Sequence, residues 1–230
     1  MADKPALVFV SSASVMGPTQ DQQPPVRADA ALNPTDAYSN SKAAAEMLVS
    51  ASNTTFCILR LAAVMPTILI LNSMIKMVKL MYDMPLAARC EIVLDEDVAF
   101  ALFAAAENLV GSGEMRGKTG FIAGGRQNGM QINIEAMLKG SLNPLGIELP
   151  AARLFADDLN AYYLDWYDTN AIQSLLHYQN HTYDQWQTMT KRTYRYLKPI
   201  VIVAKPFVKK WIARQSPRYE KSLAENSIPY

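Results

Sequence analysis

Ala6-Leu-Val-Phe-Val-Ser-Ser12, Tyr38-Ser-Asn-Ser-Lys-Ala-Ala-Ala-Glu46 and Thr55-Phe-Cys-Ile-Leu-Arg-Leu61 decide the fold. The first and third are short apolar runs without alternation, which suits strands buried on both faces of a parallel sheet. Between them, Thr35 or Asp36 can cap a helix that runs through Tyr38, Lys42, Glu46 and Leu48. Strand, helix, strand is the grammar of an α/β sheet, whose ligands bind beyond the C-terminal ends of the strands. Ser11 and Ser12 stand at that end of the first strand.

Working outward, residues 17–34 form a loop rich in Pro, Gln and Asp. After Pro66 the spacing of Ile70, Met74, Met77, Val78 and Met81 predicts a helix, followed by a strand over 90–94. Asp95 can cap a helix over 96–109 that is rich in Ala and Phe. A glycine-rich turn over 111–120, a strand over 121–123 closed by Gly124 and Gly125, and a strand and helix within 131–142 come next. The rest reads as mostly helical and holds all three Trp residues.

With 230 residues, 50% of them apolar and 19% charged, the chain is a globular protein rather than a disordered one. The longest apolar stretch, 61–75, contains Asn72 and Ser73 and is flanked by Arg60 and Lys76, so it falls short of the ~20 residues of a membrane span. Met1-Ala-Asp-Lys-Pro5 does not resemble a secretory signal, and the expected location is cytoplasmic. Cys57 and Cys90 are then reduced, inert core thiols. His177 and His181, four apart, could share a helix face, but no ligand cluster accompanies them and no metal is expected.

The net charge of +1 hides an asymmetry. Residues 1–190 carry 12 Lys and Arg against 19 Asp and Glu, whereas 191–230 carry 10 against 2. Phe207, Val208, Trp211 and Ile212 recur at helical spacing, with Lys209, Lys210 and Arg214 elsewhere around the turn and Pro199 and Pro206 as breaks. The preferred expectation is that this basic tail docks its apolar face on the protein's own acidic body; the alternative is peripheral membrane contact through 199–214. Nucleic acid is not an expected partner.

Tyr38-x-x-x-Lys42 puts a phenol and an ammonium on one helix face, an arrangement that favours a phenolate. With a serine hydroxyl at the strand end, the three form a general acid/base set for moving a proton on an alcohol while a cofactor takes the hydride. The spacing alone is weak, because 11 Tyr and 12 Lys give about 0.6 such pairs by chance. A second pair, Tyr194-x-x-x-Lys198, lacks a serine-bearing strand before it and reads as a solvated or interfacial helix.

The order Val8-Phe-Val-Ser-Ser-Ala-Ser-Val-Met-Gly17, Tyr38 to Glu46, Cys57-Ile-Leu-Arg60 and Val93-Leu-Asp-Glu-Asp-Val-Ala99 resembles the extended short-chain dehydrogenase/reductases, the NAD-dependent epimerase/dehydratase family. The likeness runs over roughly 5–190. It implies an α/β fold, the later part of a Rossmann-type doubly wound parallel sheet, with a smaller, mainly helical substrate-binding region. It also implies NAD or NADP as cofactor and a small-molecule substrate. Ser12 takes the place of the catalytic Ser/Thr, Tyr38 that of the acid/base, and Lys42 that of the residue holding the nicotinamide ribose; Tyr38 and Lys42 are thus also cofactor-binding. The implied division is 1–125 as a partial NAD(P)-binding domain with substrate-region insertions, 126–190 as the substrate-binding region and 191–230 as the tail. Asp97 reads as a helix brace, without a catalytic part.

The departures narrow the expectation. The family's glycine-rich turn before the first helix has no counterpart here, since the first glycine is Gly17, so the chain looks like the later part of an enzyme. An open sheet edge would make it a homo-oligomer or the partner of a complementing chain. Ala13 and Ser14 stand where sugar dehydratases carry Asp-Glu, which disfavours dehydration, and Ala63-Val-Met-Pro66 lends a nucleotide-sugar substrate no support. Val15-Met-Gly-Pro18 resembles members acting on sterols and other alcohols or ketones. Two functions stand open: an NAD(P)-dependent oxidoreductase or epimerase acting on a hydroxyl or keto carbon, and a cofactor-less remnant serving as a binding or regulatory module.

Overall fold

The computed structural model describes residues 5–67 and 71–224. The expectations for Met1 to Lys4 and Ile70, for the side chain of Met74 and for the last six residues of the tail lie outside the described residues. Contacts divide the chain into two compact units, each assembled from separate stretches, where the sequence reading cuts it consecutively at 125 and 190. The first takes 1–65, 89–131 and 163–183; the second takes 66–88, 132–162 and 184–230.

In the first unit β1 (Ala6–Ser12), β2 (Thr55–Leu61) and β5 (Thr119–Ile122) form one parallel sheet with β2 in the centre. β1 and β2 run in full register from Ala6 opposite Thr55 to Ser12 opposite Leu61. A second sheet orders β3 (Ala63–Met65), β4 (Arg89–Leu94) and β6 (Gln131–Asn133), with β3 and β4 parallel. The chain is therefore an α/β protein built on parallel strands, as its apolar runs predict.

Alternation along the strands sends side chains to opposite faces, and each face has its own helix. Cys57, Leu59 and Ile122 meet Val98, Ala101, Ala105 and Leu109 of α3 (Asp95–Val110), whose spacing makes one apolar stripe, together with Ile172 and Leu176 of α5 (Asn170–Leu176). Phe121 and Ala123 meet Ala43 of α1 (Ala37–Ser50), along with Ala13, Val15, Met16 and Tyr167. Both cysteines are buried and neither is in a disulfide among the described residues; burial pushes the Cys57 thiol up to about 11. The expected cap at Asp95 is corrected: Leu94 precedes the helix without a side-chain bond, and Asp95 is its first residue, accepting from the Glu96 N–H at 3.0 Å.

Asp36 caps α1. Its Oδ1 accepts the Ser39 N–H at 2.6 Å while Ser39 Oγ accepts the Asp36 N–H at 3.1 Å, a reciprocal capping box. The Ser39 backbone and hydroxyl donors hold the Asp36 carboxyl below its ordinary value. A folded pKa below the unfolded one means that this stabilisation is complete above the unfolded value and is lost as pH falls through the folded one. Asp36→Ala is expected to cost about 1 kcal/mol at neutral pH. The difference from the parent should shrink at about pH 3, which urea melts at the two pH values will measure.

The second unit is built on helices: α2 (Leu71–Leu80), α4 (Ile134–Leu142), α6 (Tyr183–Tyr194), α7 (Lys198–Val203), α8 (Lys205–Arg214) and α9 (Tyr219–Ala224). Buried Tyr82 ties the tail in, donating to the Ile212 carbonyl at 2.8 Å and packing its ring 5.0 Å from that of Phe155. The expectation of a mostly helical stretch after 142 holds from α5 (Asn170–Leu176) onward and is corrected for 143–169. Residues 143–169 are extended chain with three short 3-10 turns, broken by Pro144, Gly146 and Pro150, and Trp166 lies there rather than in a helix. Among the described residues no helix is long and apolar enough to cross a membrane.

Candidate active site

Ser39, Ala43 and Glu46 form the buried face of α1, so Tyr38 and Lys42, one position earlier, fall along its rim. Lys42 turns toward β1: its Nζ donates to the Val10 carbonyl at 2.9 Å and sits 5.4 Å from the Phe9 ring centroid and 5.9 Å from that of Tyr38. Tyr38 is 53% exposed, and no described residue bonds its hydroxyl. The structure thus brings Tyr38 and Lys42 together beside the end of β1. Ser12 ends that strand and caps the following 3-10 turn, Ala13–Met16, its Oγ accepting from Ser14 N at 3.2 Å and Ser14 Oγ at 2.9 Å.

Below this rim lies a buried ion pair that the sequence reading did not single out. Arg60 on β2 donates from Nη2 to Glu46 Oε2 at 2.7 Å and from Nε to Oε1 at 3.0 Å, with both side chains almost fully enclosed. Its Nη1 reaches the Ala28 carbonyl at 2.9 Å, fastening the loop after β1 to the sheet. The same loop is held a second time: Asp165, fully buried, accepts from Thr19 Oγ1 at 2.7 Å and from Arg89 Nε at 2.6 Å. Gln20 adds its amide to the Leu164 carbonyl at 2.7 Å. Thr19 and Asp165 are 146 residues apart, so no local spacing could have announced them.

Two further carboxylates brace the strand ends. Glu91 on β4 accepts the N–H groups of Gly125 and Tyr167, each at 2.8 Å, and the Gln131 amide at 3.1 Å; burial pushes its carboxyl up and those donors draw it back. Asp97, buried on α3, takes the His181 ring at 2.7 Å and the Asn180 and His181 N–H groups at 3.3 Å, so it braces the segment at 180–181 where the expectation had it bracing its own helix. The idea that His177 and His181 share a helix face is corrected. His177 ends α5 in a left-handed conformation (φ 49°), so the helix stops before His181.

A family model, the 3-beta hydroxysteroid dehydrogenase/isomerase family, matches residues 2–126, a span that includes Ser12, Tyr38 and Lys42. The chain belongs to this family. Among solved structures, the fold is similar to a dTDP-glucose 4,6-dehydratase from Bacillus anthracis in complex with NAD (15% identity, TM-score 0.61, covering 84% of this chain and 63% of that one). It is also similar to a UDP-glucuronic acid 4-epimerase from Bacillus cereus in complex with UDP-glucuronic acid and NAD (19%, 0.58, 85% and 62%). A third likeness is to a short-chain dehydrogenase/reductase superfamily protein from Agrobacterium tumefaciens with bound NAD (17%, 0.58, 87% and 69%). The resemblance to the extended short-chain dehydrogenase/reductases is borne out, and so is the Rossmann-type fold. This member of the 3-beta hydroxysteroid dehydrogenase/isomerase family spans under two thirds of the dehydratase and epimerase chains. No curated protein sequence matches it at a significant level.

Proposed function

We propose that the chain carries the proton-handling half of an NAD(P)-dependent oxidoreductase acting on a secondary alcohol or ketone. The observation that supports it most is half-exposed Tyr38, whose hydroxyl no described residue bonds, with the Lys42 ammonium 5.9 Å from its ring centroid. Family membership favours a sterol-type carbon centre, and the nucleotide-sugar neighbours share the fold at low identity.

The residues fit the nicotinamide end of a dinucleotide. Lys42 uses one of its three N–H donors on Val10, leaving two for ribose hydroxyls. When bound, the cofactor supplies or accepts the hydride. Tyr38 Oη gives a proton to the substrate oxygen in reduction and takes it back in oxidation. Ser12 Oγ, with its own hydrogen unassigned to any acceptor, donates to the same substrate oxygen and orients it.

Lys42→Ala is expected to lower both the turnover rate and the affinity for NAD or NADP, since one ammonium serves ribose and phenol. Calorimetric titration of the active enzyme with each dinucleotide is the test; an unchanged affinity removes Lys42 from cofactor binding. A second reading, a binding module without turnover, is favoured by the Ser12 hydroxyl already serving as a turn cap. That reading expects Ser12→Ala to alter stability alone, with no dinucleotide-dependent activity to lose.

A further inference from the structure

The tail has two faces, and the second unit covers one of them. Ile212 and Ala213 are buried, and Lys205 and Lys209 both grip Glu148, whose carboxyl they hold down to about 2. This is the self-docking that the acidic body predicts, but the apolar face expected from the sequence is split. Ile212 is buried and Val208 half-buried, while Phe207 and Trp211 are exposed. On the outer side Tyr196, Ile200, Val203, Phe207 and Trp211 follow at four- and three-residue spacings and are 72, 67, 84, 77 and 42% exposed. Leu197 and Ile202 widen the stripe.

Charge surrounds that stripe on one sign only. Residues 185–219 contain nine Lys and Arg and no Asp or Glu. Lys210 and Arg214 lie on the outward side of α8, and Arg192, Arg195 and Lys198 lead into it, all exposed. The Arg195 guanidinium stacks 4.3 Å from the Tyr196 ring centroid, keeping an aromatic and a cation together. Pro199 and Pro206 occupy the first turns of α7 and α8, where a missing N–H is tolerated, so the two helices follow each other with only Ala204 between them.

We propose that this outward face of α7 and α8 is a docking surface for an anionic lipid bilayer, on which the protein lies peripherally. A contiguous exposed apolar stripe is uncommon on a soluble surface. Aromatic and branched side chains flanked by Lys and Arg match the acyl-headgroup boundary, where the apolar atoms enter and the cations meet lipid phosphates. The absence of acidic residues over 35 positions selects an anionic surface over a neutral one, and nothing in the face would direct a basic partner. Lys205 and Lys209 stay with Glu148, so the inner face positions the helices and the outer one is left for lipid.

The test uses the full chain and two sets of vesicles, phosphatidylcholine alone and phosphatidylcholine with phosphatidylserine. Cosedimentation is expected with the serine-containing vesicles only, released as salt rises to about 0.5 M. Phe207→Glu should weaken binding at least about tenfold, and the pair Lys210→Gln, Arg214→Gln by roughly tenfold, with melting temperatures unchanged because all three side chains are exposed. Trp211 emission should shift to the blue on binding, and Trp211→Phe should remove the shift. Equal binding to both vesicle sets, no binding at low salt, or binding indifferent to Phe207→Glu overturns the proposal. Phe207-dependent dimers in sedimentation velocity without vesicle binding would assign the face to a second copy of the chain instead.

Discussion

Tyr38→Phe is expected to lower kcat/KM of the active enzyme by roughly 10²- to 10⁴-fold, the usual worth of a positioned proton donor. The substitution deletes one oxygen from a side chain that is 53% exposed and whose hydroxyl no described residue bonds. Folding therefore has nothing to lose, and the urea midpoint should stay where it is. The ring also remains over Lys42, 5.9 Å from its ammonium, so cofactor affinity should change little. Steady-state kinetics beside an unchanged melt give the result its meaning: near-normal turnover takes Tyr38 out of the chemistry, whereas a joint loss of stability and rate would point to a structural part.

Glu46→Leu should have the largest effect on stability, about 3–5 kcal/mol, because it leaves the Arg60 guanidinium buried without its counter-charge. Arg60 is 5% exposed and its Nε and Nη2 are both committed to Glu46. Water cannot replace the lost carboxylate without opening the space between α1 and β2. Glu46→Leu combined with Arg60→Met removes both charges and is expected to recover most of the loss. Two bonds stay broken in the double variant, from Arg60 Nη1 to the Ala28 carbonyl and to Met16 Sδ. The loop over 17–34 should then be cleaved faster by protease even where the urea midpoint has returned. A double variant as unstable as the single one would mean that the pair contributes shape rather than charge balance.

Local pattern carried much of the molecule. The apolar runs of β1 and β2, the Asp36 cap and the four-residue spacing of Tyr38 and Lys42 are properties of neighbouring residues, and they place a strand, a helix and a rim before any tertiary contact is known. Ser12 at the strand end was legible in the same way, while the turn it caps was not, since that depends on the backbone direction taken at Gly17.

Partnership across the chain was decided by the tertiary structure. Glu46 and Arg60 both stood in the quoted stretch, yet their pairing requires α1 to cross β2 on the side that Arg60 faces. Thr19, Arg89 and Asp165 meet only after separations of up to 146 residues, and polar types in loops look alike until burial makes a missing partner costly. The tail follows the same division. Its amphipathic spacing and its charge are written in the sequence, because a helix's period is local. Which of its apolar residues are covered was settled by the docking of Ile212, Lys205 and Lys209, since hydrophobic burial is non-directional and any apolar face serves until packing selects one.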